Sequence, residues 1–74
     1  MNYDYRKLRG RIFEMFQNCK AFATAMGIGK SSLSQKMNNH IPFTQMDIAK
    51  AAELLNLSPA EIGEYFFTLK VQND

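Results

Sequence analysis

The sequence predicts an all-α fold, a compact bundle of five short helices, on three observations. Apolar residues recur in segment after segment at the i, i+3, i+4, i+7 spacing that places them on one helix face. Helix-ending and helix-starting signals divide the segments: Gly27, the pair Asn38-Asn39 ahead of Pro42, and Ser58-Pro59. No stretch reads as a strand. With 74 residues the chain is one domain. A chain of this length buries only about 60–65% of the surface it exposes unfolded, so its core is thin.

The elements follow in order. Tyr5, Leu8, Ile12, Met15 and Phe16 define the buried face of a first helix, with Asp4 placed to cap its start and Gln17-Asn18 closing it. A second helix turns Phe22, Ala23 and Met26 inward and ends at Gly27, a residue free to adopt the left-handed conformation. Ile28 then plugs the angle between this helix and the next. The third helix, from about Lys30 to Asn38, offers only Leu33 and Met37 to a core and carries no acidic residue. Asn38 to Phe43 form a loop. Thr44 and Asp47 make a capping box that opens a fourth helix, whose buried stripe is Ile48, Ala51, Ala52 and Leu55. Ser58, Pro59 and Glu61 start a fifth, which buries Ile62, Tyr65 and Phe66. The domain spans residues 1–67, and residues 68–74 read as a flexible tail.

Composition excludes several classes. Cys19 is the one cysteine, so no disulfide is available, and no signal-like apolar run follows the basic N-terminus. Both features point to the cytoplasm. No apolar run approaches the roughly 20 residues of a membrane span. One His and one Cys make no metal site, and there is no paired-carboxylate or nucleophile–base pattern. No enzyme, metal or cofactor is expected, and Cys19 reads as a small, partly buried filler. Charge is segregated. Residues 1–46 hold seven basic side chains against Asp4 and Glu14, whereas residues 47–74 hold Lys50 and Lys70 against five acidic ones. A positive half joined to a negative half suits a polyanion on one side.

The stretch GIGKSSLS, residues 27–34, looks at first like a phosphate-binding loop. That loop needs a further glycine at position 24, which is threonine, and a buried strand ahead of it, where FATAM is helical. A helix-turn-helix fits instead. Ala23 is small where the motif's two helices must cross, Gly27 follows four residues later in the turn, Ile28 is apolar, and Leu33 locks the third helix in place.

On these residues, KAFATAMGIGKSSLSQKMNN resembles the lambda-repressor-like family of helix-turn-helix domains, the Cro-type repressors. With YDYRKLRGRI and DIAKAAELLNLSPAEIGEYFF, the chain is similar to small Cro-like regulators of temperate phages of Gram-positive bacteria. The resemblance implies a sequence-specific transcriptional repressor that inserts helix 3 in the major groove of a double-stranded DNA operator. It places Lys30, Ser31, Ser34 and Gln35 at base edges. Free N–H groups at Gly29, the polar side chains of Gln17, Lys36, Asn38, Asn39 and His40, and Thr44 and Gln45 at the positive end of the fourth helix are candidates for phosphate contacts. One departure stands out, since the family's glutamine at the start of the second helix is here Cys19, with Gln17 two residues earlier.

A homodimer on a pseudo-palindromic site is the expected assembly, with Tyr65, Phe66 and Phe67 as candidates for self-association. The alternative is a protein-interaction module, an antirepressor or modulator that binds a second regulator protein and has only weak affinity for DNA.

Overall fold

The structure, a computed structural model, describes residues 2–71. Five α-helices build it: α1 (Arg6–Phe16), α2 (Cys19–Met26), α3 (Lys30–Met37), α4 (Gln45–Leu54) and α5 (Pro59–Phe66). The expected helical bundle is the one observed. Among the described residues the sole extended pairing is an isolated antiparallel bridge between Tyr3 and Leu69.

Helix α2 sits in the middle, packed on α1, α3 and α4, while α5 closes against α1 and α4. Its inward face holds Phe22, Ala23 and Met26, as the spacing requires. Phe22, Phe66, Leu8, Ile12, Leu33 and Leu55 are almost wholly buried around it. Edge-on aromatic contacts extend this core: Phe16 meets Phe22 at 5.3 Å between ring centroids, and Phe43 meets both Tyr5 and Phe66 at 5.2 Å. Met15, expected in the α1 stripe, is 44% exposed. It lies about 60° round the helix from Ile12, at the stripe's edge, where cover from the neighbouring helices runs out.

The helix ends show how local chemistry sets the path of the chain. Asp4 acts one place earlier than a cap: Tyr5 is the N-cap, and the Asp4 carboxylate accepts the Arg6 N–H at 3.0 Å. Gln17 ends α1 in the left-handed region at φ 72°, and the Asn18 side chain immediately caps α2 by accepting the Ala21 N–H. Two residues thus reverse the chain. Three helices end in the same paired bonds. After α2, Ile28 N–H reaches the Ala23 carbonyl and Gly27 N–H the Thr24 carbonyl, with Gly27 at φ 77°. Asn39 (φ 63°) and Asn56 (φ 56°) hold the corresponding places after α3 and α4. The Thr44–Asp47 capping box forms in both directions, and at the start of α5 the Glu61 carboxylate accepts the Ser58 N–H at 2.9 Å.

The stretch after Phe67, expected to be loose, is partly tied down. Asp4 N–H donates to the Thr68 carbonyl at 2.7 Å, and Lys70 N–H donates to the Asn2 carbonyl at 3.0 Å. These backbone bonds need no side-chain periodicity, so no sequence pattern announces them. Residues 72–74, the rest of the expected tail, lie outside the described residues. Among those described, no helix is long and apolar enough to cross a membrane.

Candidate functional site

Helix α3 follows α2 after three residues, Gly27 to Gly29, and buries Leu33 and Met37 in the core. Apart from Lys36, its other side chains lie on the surface. Lys30, Ser31, Ser34 and Gln35, the residues expected at base edges, are all exposed on it. Gly29 at the N-cap, Gln17, Asn38, His40 and Gln45 are exposed as well.

Three of the residues expected to contact phosphate are engaged inside the molecule. Lys36 donates to Asp47 at 2.7 Å, and the two side chains are only 12% and 18% exposed. Burial pushes the Asp47 carboxyl up, but the hydrogen bonds from Lys36 and Thr44 outweigh it and hold the group below its ordinary value. Asn39 accepts the Tyr3 N–H at 2.9 Å and donates to the Tyr3 carbonyl at 3.0 Å, pinning the N-terminal segment as a neighbouring strand would. The Thr44 hydroxyl accepts the Asp47 N–H at 3.0 Å in the capping box. These side chains hold α3, α4 and the N-terminus together, and sequence position alone does not distinguish that from a phosphate contact.

The self-association set also contracts. Tyr65 and Phe66 are buried, at 9% and 2% exposure, and only Phe67 remains open at 52%. The apolar excess of the last helix folds back onto the core.

A cleft of about 610 Å³ opens between α1, the start of α2 and α3. Phe13, Cys19, Leu33 and Met37 give it an apolar floor, and Arg9, Lys20, Lys30, Ser34 and Asn38 stand around it. None of its lining residues is acidic. Arg9, Lys20 and Lys30 enter no ion pair among the described residues, whereas Arg6, Lys7, Arg11 and Lys36 are paired with Asp4, Glu64, Glu14 and Asp47. Of the cleft residues, the sequence reading singled out Lys30, Ser34 and Asn38 but missed Phe13, Arg9 and Lys20 as a group. A signal was available: Phe13 is a large aromatic lying off the buried stripe of α1.

A family model described as DUF739, a protein of unknown function, matches residues 1–69. The chain belongs to the DUF739 family. It is also similar to a solved protein, the modulator of repression of the temperate bacteriophage TP901-1 from Lactococcus lactis. The solution structure of that relative shares 39% identity, covers 97% of each chain and superposes with a TM-score of 0.81. No curated protein matches.

These findings correct the assignment to Cro-type repressors and, with it, the reading of the chain as an operator-binding repressor. The DUF739 match and a relative that modulates repression take its place. The reason for the error is physical. Ala23, Gly27 and Leu33 dictate how two helices cross, and that packing is indifferent to what the outer face of α3 touches.

Proposed function

We propose that this DUF739 chain is a modulator of repression that binds a second regulator protein, rather than a repressor that occupies an operator itself. The observation carrying this is the 39% identity to the TP901-1 modulator of repression across 97% of both chains. The surface agrees with it. Lys36, Asn39 and Thr44 are committed to internal bonds, so the footprint on DNA shrinks, while an apolar-floored cleft stands open beside α3. In this reading the protein works without catalysis or cofactor, in the cytoplasm of a bacterium that carries or is infected by a temperate phage.

The test is a calorimetric titration of the purified chain into the DNA-binding repressor encoded in the same genome, followed by an operator-binding titration of that repressor with and without the chain. A complex with Kd in the micromolar range or tighter, together with a changed operator affinity, is expected. Absence of heat at roughly 100 μM of both proteins overturns the proposal. So does a preference of about 10³ or more for an operator over random DNA by the chain alone.

A further inference from the structure

We infer that the cleft between α1, α2 and α3 is a docking groove for an acidic amphipathic helix presented by that partner; this rests on the regulator-binding reading. Two independent features define the occupant. The floor is apolar, and Phe13 in it is 51% exposed although Leu8 and Ile12 on the same helix are covered. An apolar ridge entering the groove would remove this surface from water. Around the floor stand Arg9, Lys20 and Lys30, without ion-pair partners among the described residues and with no carboxylate on the lining. Carboxylates flanking the ridge would meet them.

Dimensions fit as well. The eight residues of α3 extend about 12 Å, enough to flank roughly two turns of a partner helix with apolar residues at i, i+3 or i+4, and i+7. A DNA backbone would satisfy the cations but leave the apolar floor unused. The apolar patch of exposed Met46 and Ala49 with half-buried Ile48 and Ile62 is lined by no charged residue, and nothing there specifies an occupant.

The probes are two fluorescein-labelled helical peptides with leucines at the ridge positions, one flanked by glutamates and the other by lysines. Anisotropy titrations at two salt concentrations compare the full chain with Phe13→Ala, Arg9→Glu, Lys20→Glu and Lys30→Glu. Lys50→Glu serves as control, because it reverses a cation outside the cleft that has no ion-pair partner among the described residues. Cys19, the sole cysteine, lies in the groove, so its rate of alkylation by N-ethylmaleimide reports occupancy directly.

The glutamate peptide is expected to bind and the lysine peptide not to. Each groove substitution should weaken binding by roughly fivefold or more. Lys50→Glu should stay within about twofold, as expected of a charge away from the contact. Bound peptide should slow Cys19 alkylation. Equal binding of both peptides overturns the inference. So does duplex DNA that protects Cys19 with Phe13→Ala silent, or self-association in ultracentrifugation that Phe13→Ala abolishes.

The same variants are then titrated into the repressor. Full-strength binding by all the groove variants overturns the groove and leaves the modulator reading intact. A repressor that ignores the wild-type chain removes the modulator reading, and the peptides then decide the groove by themselves.

Discussion

Two sides of this molecule differ in how their polar and aromatic groups are used. On the side of α4, α5 and the chain ends, many of these groups are satisfied within the chain, although Phe67 is 52% exposed and Lys50 has no ion-pair partner among the described residues. Lys36 pairs with Asp47, Lys7 with Glu64, and the Thr44 and Ser58 N–H groups are each held by the carboxylate three residues on. Asn39 holds Tyr3 at both backbone atoms, and Tyr5, Phe43 and Phe66 stack edge to face. On the side of α1 and α3, Arg9, Lys20 and Lys30 have no ionic partner among the described residues and Phe13 is half exposed. Groups satisfied internally hold the fold. Groups left open are the ones a partner can satisfy, which is why the internal bonds of Lys36 and Asn39 argue against a DNA contact and the open ones of the cleft argue for a docking surface.

The largest effect should come from exchanging aromatic residues across this divide. Phe66 is 2% exposed and packs on Phe43, so Phe66→Ala should lower unfolding stability by about 3–5 kcal/mol. That approaches the whole margin of a small domain. Phe13→Ala, of identical chemistry on the open side, should change stability by less than about 0.5 kcal/mol. Urea unfolding followed by circular dichroism measures both. A cost above roughly 2 kcal/mol at Phe13 would make its ring part of the core and break the contrast.

A smaller effect tests the closed side's electrostatics. In Asp47→Asn the amide oxygen can still accept the Thr44 N–H, so the change isolates the ion pair with Lys36 and should cost about 1–3 kcal/mol at pH 7. Because the folded Asp47 carboxyl lies below its unfolded value, its contribution is present at neutral pH and is lost as pH falls through the folded value. Wild-type thermal stability should therefore decline below about pH 4, and part of that decline should be missing in Asp47→Asn. The remainder belongs to Glu61, lowered by its hydrogen bond from Ser58 N–H, and Asp4, lowered by its hydrogen bonds with Arg6. Superimposable pH profiles for the two proteins would show that the pair contributes nothing.

The closed side was readable because its signals are local. Thr44 with Asp47 and Ser58 with Glu61 sit three residues apart, and the stripe of Ile48, Ala51, Ala52 and Leu55 lies within one helix. Long-range polar bonds were not readable. Nothing in the sequence joins Asn39 to Tyr3, Lys36 to Asp47 or Asn2 to Lys70, because such pairs depend on the completed packing. The cleft was half legible. Lys30 and Ser34 stood out on an acid-free helix, but Phe13, Arg9 and Lys20 join them only when α1 and α3 both pack on α2 and line one cleft. The functional error has the same root: a local motif recorded how two helices pack, and the choice between DNA and protein lies in which surface groups the rest of the fold leaves unsatisfied.

The smallest expected effect sharpens the comparison most. Replacing Arg9, Lys20 and Lys30 together by glutamine should leave stability within about 0.5 kcal/mol of wild type at moderate salt. At low salt the variant should gain slightly, since three like charges around one cleft repel and salt screens them over roughly 10 Å at 0.1 M. Wild-type melting temperature should accordingly rise more with added salt than that of the variant. A fold that gains nothing from three cations, and melts a little earlier because of them, keeps them for something outside itself. A loss of more than about 1 kcal/mol in the triple variant would instead place these side chains among the groups that hold the fold, and the division between the two sides would disappear.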